Sequence, residues 1–305
     1  MKSQQQSAMS HQVMWNEAAS KSGTRRAGLK KRYRRIIGVV LTYMALLLVL
    51  IFVLFPIYWI VTMSLKNQGD TFVKPPVWIF WPILDNYREV LSNQDFLRRF
   101  VNSLVVSASA SALATVLGIF AAYSIARFEF KGRKGLAFWI LSTRMFPPIA
   151  AVLPFFMLAR QVRLFDTYLI LILAYLTFTI PFSVWMIKGF IEGIPQDLEE
   201  SAMVDGCSRL GAVGRIIIPL AAPGIAATMI INLIFCWNEF LFALMLTGEN
   251  VSTLSVGASL FVEAKGINWT RLAAASVIIA SPMVVFGVLV QRYIIQGMTF
   301  GAVKG

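Results

Sequence analysis

Charged residues are scarce in this 305-residue sequence: Asp, Glu, Lys and Arg together make up 14% of the chain, whereas hydrophobic residues make up 57%. The mean hydropathy is +0.69. A soluble globule of this size needs more polar surface than such a composition supplies, so the soluble globular class is excluded. We therefore expect lipid to be the main solvent of the chain.

Residues that catalyse reactions or hold metals are equally rare. The single histidine, His11, lies in a polar stretch rich in Gln and Ser, and the two cysteines, Cys207 and Cys236, lack metal-ligand spacing. The sequence contains no Gly-x-x-x-x-Gly-Lys-Ser/Thr phosphate-binding loop and no Ser/His/Asp or Cys/His set. We predict that the chain is not an enzyme and has no catalytic, metal-binding or cofactor-binding residues.

Acidic residues are outnumbered, which leaves a net charge of +13. Such a charge could indicate nucleic acid, but much of it lies in residues 21–35, directly before a long apolar run. That placement is typical of a cytoplasmic membrane flank. The apolar run, 36 to about 61, is too long for the core of a secretory signal, so it predicts an uncleaved first span. Residues 1–35 are predicted to be a basic, disordered cytoplasmic tail, and no nucleic-acid partner is expected.

Six apolar stretches are long enough to cross a membrane as helices. They cover residues 36–61, 101–126, 136–158, 167–188, 221–246 and 272–293. Arg144, Pro147 and Pro148 interrupt the third, and polar residues interrupt the fifth. Basic loops are retained in the cytoplasm, and the Lys and Arg residues between the spans place both termini there. The sequence predicts an all-α polytopic membrane protein, with a six-helix transmembrane domain at 36–296 and a cytoplasmic tail at 297–305.

The loop between the fourth and fifth spans, residues 191–220, is long and strongly patterned. Pro195 suits a first helical turn, and acidic residues follow it at 197, 199 and 200, near the positive end of the helix dipole. Gly206 would end this helix in a left-handed cap. A second short helix, 208–217, should follow until Pro219 redirects the chain into the fifth span. We predict a helix-turn-helix at the cytoplasmic membrane surface.

This loop resembles the signature of permease subunits of binding-protein-dependent ABC importers. Their pattern is Glu-Ala-Ala, three residues, Gly, nine residues, Ile, one residue, Leu-Pro. The chain matches it with Glu200-Ser201-Ala202, Gly206, Ile216 and Ile218-Pro219, with Ser in place of Ala and Ile in place of Leu. Other stretches resemble the carbohydrate-uptake branch, namely Phe55-Pro56, Asn102-Ser103, Ala126-Arg127-Phe128, Phe165-Asp166-Thr167-Tyr168 and Trp237-Asn238-Glu239-Phe240. The ending 301–305 is similar to that of the smaller maltose-type permease subunit.

The resemblance implies a complex in the bacterial plasma (inner) membrane, with ATP and Mg²⁺ bound by partner subunits. The implied partners are a second permease subunit, giving a heterodimer, two ATPase subunits and an extracytoplasmic solute-binding protein, besides membrane lipid. The residues implied to couple to the ATPase are Glu199, Glu200, Ser201, Ala202, Asp205, Gly206, Ile216 and Pro219. Gly301, Lys304 and Gly305 are implied to contact the ATPase as well. Because Gly297, Gly301 and Gly305 are flexible, we expect this tail to leave the helix as a polar strand, the alternative being a frayed end without a role.

Polar groups within the spans mark a possible solute path, because they are costly against lipid. The candidates are Arg144, Asn232, Trp237, Asn238 and Glu239. Asn232 and Glu239 are seven residues apart and would share one face of a continuous helix, pointing at the passage, whereas Asn238 could bond a neighbouring helix. Alternatives are a structural hydrogen bond for Glu239, snorkelling for Arg144, and lipid or helix contacts for Trp237.

The implied function is import of a sugar, polyol or glycoside. The same machinery carrying a non-carbohydrate solute is an alternative, because substrate choice depends on few residues. An ion-coupled secondary transporter is a second alternative. That class is expected to show inverted repeats and paired broken helices. The sequence shows no such internal repeat, so the importer interpretation is favoured.

Overall fold

The computed structural model describes residues 36–257, 262–263 and 266–302. The helices are α1 (Ile36–Ser64), α2 (Asp85–Ser92), α3 (Gln94–Arg127), α4 (Arg133–Thr143), α5 (Pro148–Gln161), α6 (Tyr168–Glu192), α7 (Asp197–Val204), α8 (Arg209–Ala212), α9 (Ile218–Asn238), α10 (Leu241–Leu246), α11 (Leu254–Gly257) and α12 (Trp269–Ala302). A 3₁₀ turn covers Gln68–Thr71 and a π-helical segment covers Val213–Ile217. Two-residue antiparallel strands, β1 (Val262–Glu263) and β2 (Gly266–Ile267), complete the described elements.

Within the described residues, five helical stretches are long and apolar enough to cross a membrane. They are Ile36–Ser64, Gln94–Arg127, Tyr168–Glu192, Arg209–Asn238 and Trp269–Gln291. A sixth span is present if α4 and α5, which meet at a bend of 86°, are counted as one broken crossing. The polytopic α-helical class predicted from the sequence is confirmed.

The chain divides into two compact units, Met1–Trp59 and Ile60–Gly305. The described part of the first unit belongs to α1, which is apolar on all sides. Such a helix is typical of a segment surrounded by lipid or by other membrane helices.

The second unit is organised around α3, α6 and α9. Small residues on α3 allow the backbones to approach closely, as is typical of membrane helices. Gly118 lies directly against Ser183 of α6, where an added Cβ would come within 2.5 Å of the serine Cβ. Gly224 of α9 faces the ring of Phe190 in the same way. Both contacts lie in the C-terminal half of α6 and so position the loop that follows it.

The interruption predicted in the third span is present, because Pro147 and Pro148 lie where α4 has ended and α5 begins in a new direction. Two other predicted boundaries are wrong, each for a local reason. The fifth span does not reach residue 246, because Glu239 adopts an extended backbone conformation after Asn238. The tail does not leave the helix at Gly297: α12 continues to Ala302. No proline follows Pro282, and a single glycine weakens a helix by only about 1 kcal/mol.

Candidate functional site

Helix α7 forms where the acidic loop predicts it, and its end has a defined geometry. Gly206 has a φ of 87°, in the left-handed region that glycine adopts at little cost. The Gly206 amide donates to the Met203 carbonyl at 3.1 Å, and the Cys207 amide donates to the Ala202 carbonyl at 2.9 Å. This pair of bonds is a Schellman motif, in which the last carbonyls of the helix find partners. The predicted glycine cap is confirmed.

Glu199, in the first turn of α7, is buried against the end of α3. Its carboxylate forms an ion pair with the Nε of Arg127, the last residue of α3, and the two side chains are only 6% and 7% exposed. Arg127 also donates to the carbonyl of Ile194 at 2.8 Å. Glu199 therefore faces the bundle and not the surface, because this buried cation draws the carboxylate inwards, and its role in coupling stays a prediction.

The opposite face of α7 is exposed and mixed in character. It presents the carboxylates of Glu200 and Asp205 beside the side chains of Leu198 and Val204, the latter 87% exposed. Ser201 is exposed as well, whereas Ala202 is half-buried. An exposed apolar surface with acidic groups around it is typical of a protein-protein contact.

The second helix of the loop begins as predicted but does not end as predicted. The Ser208 hydroxyl accepts a hydrogen bond from the Gly211 amide at 3.1 Å and so caps α8. Pro219 does not redirect the chain, since the π-helical segment carries the helix onward into α9. The Ile218 amide bonds the Val213 carbonyl, and the longer spacing of such a segment accommodates a nearby proline. Ile216 is half-buried and Pro219 exposed.

A groove of about 780 Å³ opens where α4 and α5 meet α6, α9 and α10. Its lining is mainly apolar and combines phenylalanine rings with a few polar groups, including Thr143, Arg144, Phe155, Thr177, Phe178, Phe235, Glu239 and Phe242. The Arg144 guanidinium lies 4.6 Å from the ring centre of Phe182 and 4.9 Å from that of Phe235. Among the described residues it has no carboxylate partner within 4.0 Å.

Glu239 occupies the break between α9 and α10. One carboxylate oxygen accepts from the Phe242 amide at 2.9 Å, and the other accepts from the Ala243 amide at 3.1 Å. The side chain therefore caps α10 while it lines the groove. The predicted continuous helix through Glu239 is wrong, because this cap begins a separate helix.

The other predicted path residues lie away from the groove. Asn232 is fully buried and donates to the Ser183 hydroxyl at 2.7 Å. Trp237 is 3% exposed, and its indole donates to the Ile279 carbonyl at 3.2 Å. Asn238 is exposed and bonds the Met283 sulfur of α12 at 3.2 Å, as its position on the helix suggested. The shared face predicted for Asn232 and Glu239 does not exist, and Trp237 is a packing residue rather than a free stacking surface.

At the opposite end of α6 from α7, Asp166 holds the loop that follows α10. Its carboxylate accepts from the Asn250 amide at 3.1 Å, the Asn250 side chain at 2.9 Å and the Val251 amide at 3.0 Å. Although burial opposes ionisation, hydrogen bonds from Gly248, Val251 and Asn250 lower the pKa of Asp166 below its usual value. The ionised carboxylate of Asp166 therefore holds the loop after α10 in place.

A pH dependence follows from the lowered pKa of Asp166. The stabilisation is complete above the usual value of 3.8 and is lost as the pH falls through the lower value of the folded protein. We expect Asp166→Asn to reduce the melting temperature of the detergent-solubilised protein at pH 7, with the difference shrinking in strong acid. Glu249→Gln, which removes the same charge from the exposed neighbouring loop, should change little. Equal melting curves for Asp166→Asn and the wild type at pH 7 would contradict this stabilising role of Asp166.

Sequence reasoning missed Arg127 as a site residue. The signal was present in Ala126-Arg127-Phe128, but nothing local to this stretch shows that its partner lies 72 positions later. Gly301 lies within α12, whereas Lys304 and Gly305, like residues 1–35, lie outside the described residues.

Comparison with known proteins gives a consistent result. Residues 114–300 match the family described as binding-protein-dependent transport system inner membrane component. The trehalose transport system permease protein SugB of Mycobacterium tuberculosis is 38% identical over 276 residues, covering 87% of this chain and 98% of that protein. The trehalose/maltose transport system permease protein MalG of Thermococcus litoralis is 35% identical over 279 residues, covering 90% and 98%.

Two further similarities are to a permease for another saccharide and to a chain of a solved structure. The diacetylchitobiose uptake system permease protein DasC of Streptomyces coelicolor is 33% identical over 274 residues, covering 89% of this chain and 99% of that protein. A chain from the crystal structure of a bacterial ABC transporter for import of the acidic polysaccharide alginate has a TM-score of 0.73 at 23% identity, covering 85% of this chain and 96% of that one. At 23% identity, this structural similarity supports the fold alone.

Proposed function

Because this chain belongs to the binding-protein-dependent transport system inner membrane components, we propose that it forms one membrane-spanning half of an ATP-driven importer for a sugar, polyol or glycoside. Two observations point to the same function. The signature loop forms the glycine-capped helix α7, and the similar proteins named above are permeases for trehalose, maltose and diacetylchitobiose. A non-carbohydrate solute is the weaker alternative, since the relatives named above handle saccharides.

The proposed complex contains a second permease subunit, two ATPase subunits and an extracytoplasmic binding protein. A solved neighbour in the alginate system is described in complex with a saccharide-bound periplasmic protein, which supports the last of these. The loop of α7 and α8, together with both termini, would lie on the cytoplasmic side of the bacterial inner membrane. ATP and Mg²⁺ would be bound by the ATPase subunits, and this chain would contribute no cofactor site.

The exposed face of α7 is the proposed docking surface for the ATPase. Leu198 and Val204 would enter an apolar groove of the partner, and Glu200 and Asp205 would meet basic groups at its rim. The tail at Gly301, Lys304 and Gly305 is proposed as a second ATPase contact.

The aromatic groove with Arg144 and Glu239 is the proposed solute path through this half of the transporter. Aromatic walls with a small number of polar anchors are typical of small-molecule sites, and ring faces stack readily on sugars. The bend between α4 and α5 leaves non-helical backbone at membrane depth, which is tolerated where it lines a cavity.

The proposed path can be tested by cysteine labelling of the assembled transporter in vesicles. We expect a water-soluble thiol reagent to modify Thr177→Cys in the groove, and saturating transported saccharide to slow that reaction. The matched control is Asn232→Cys, which is buried in the described structure and should react poorly in every state. Failure of Thr177→Cys to react in a complex that still transports would remove the groove from the pathway.

A further inference from the structure

We propose that Arg127 is a positioning residue that ties α7 to the end of α3, so that a displacement of α7 by the ATPase is passed directly to α3. This inference depends on the proposed importer function. Its basis is the ion pair with Glu199, which joins the last residue of one membrane helix to the first turn of the docking helix.

The geometry of the pair suits a fixed connection. Arg127 lies at the negative end of the α3 dipole and Glu199 near the positive end of the α7 dipole, so each charge is favoured where it is. The guanidinium also donates to the Ile194 carbonyl at 2.8 Å, which fixes the chain just before α7. Two directional contacts to one planar group restrain both the position and the orientation of the docking helix.

The buried apolar cluster at this end of the bundle, as far as the structure describes it, does not itself include α7. The cluster at this end of the bundle consists of Ile119, Ala122, Tyr123, Ala126, Ile187, Ile191, Val213 and Ile217. It joins α3, α6 and the π-helical segment, but within the described residues it contains no member of α7. Apolar burial is non-directional, whereas an ion pair fixes a partner at one point. Glu199 is thus the residue of α7 that fixes this helix to α3 through a buried ion pair.

The test uses the assembled, membrane-reconstituted transporter and counts solute molecules moved per ATP hydrolysed. We expect Arg127→Met to lower this ratio about tenfold, equivalent to about 1.4 kcal/mol of coupling free energy, while ATP hydrolysis continues. Glu192→Gln is the matched control. It breaks the partly exposed pairs with Lys188 of α6 and Arg133 of α4, neither of which belongs to α7, so the ratio should be unchanged.

A double variant separates positioning from stability. Replacing a buried ion pair by apolar residues of similar size often restores stability, so Arg127→Met with Glu199→Leu should recover the melting temperature that Arg127→Met loses. We expect the transport ratio to stay low in this double variant, because the directional connection is absent. Recovery of the ratio together with the melting temperature would overturn the proposal and leave the pair a structural role.

The same measurements distinguish failure of this inference from failure of the proposed function. If the wild-type complex moves no saccharide with ATP, the importer assignment is wrong, and the positioning role that depends on it fails as well. If the wild type transports and Arg127→Met keeps the full ratio, only the positioning role is refuted.

Discussion

Replacing Gly206 by valine should abolish ATP-driven uptake while the chain still inserts into the membrane. The left-handed conformation at this position, with a φ of 87°, costs a residue with a side chain about 1–2 kcal/mol, and a β-branched residue fits it worst. The two Schellman bonds would weaken, and the exposed face of α7 would lose the geometry that a partner requires. Uptake by reconstituted transporter, compared with the amount of assembled complex, measures the effect.

Two matched variants show whether backbone conformation is the cause. Gly206→Asn adds a side chain of similar bulk, but asparagine tolerates the left-handed region, so it should retain much of the uptake. Gly214→Val adds the same valine to a nearby glycine that has no positive φ and no atom within 4 Å of an added Cβ. It should retain uptake. If Asn is as harmful as Val at position 206, the partner's contact surface, and not the backbone, sets the requirement.

The glycine cap could be predicted because its causes are local in sequence. Proline, acidic residues and glycine at fixed offsets act within one or two helical turns, and the motif spacing repeats that pattern. Long apolar stretches are equally local signals, so the membrane class and the approximate positions of the spans were also predictable. The bend after Arg144 was visible in Pro147 and Pro148, although its angle was not.

Other features could not be predicted because they depend on contacts between distant residues. Nothing near Glu199 indicates that Arg127 will draw it inwards, and a carboxylate in a first helical turn would otherwise point outwards. Asn232 shows the same limit. Its polarity suggested an aqueous passage, but its amide nitrogen donates to the hydroxyl of Ser183 on α6 inside the bundle. A polar group within a span therefore indicates either a path or an internal partner, and only the packing separates the two.

The strongest expected effect on the folded state is at Glu239. Glu239→Ala would leave the amides of Phe242 and Ala243 without their acceptor within a membrane-embedded region. Each unsatisfied buried group costs about 1–3 kcal/mol. We therefore expect α10 to unravel, with a clear fall in melting temperature and loss of uptake.

Glutamine at this position distinguishes the helix cap from a direct role in the solute path. Glu239→Gln keeps one acceptor oxygen but places an NH₂ group near the second amide, so stability and uptake should both be intermediate. Because a cap acts through the folded structure, the loss of uptake should follow the loss of melting temperature across both variants. A group that contacts the solute behaves differently: Glu239→Gln would raise the KM for saccharide while the melting temperature stayed at the wild-type value. Measuring KM and melting temperature on the same preparations decides between the two, and a raised KM at unchanged stability would refute the cap as the main role of Glu239.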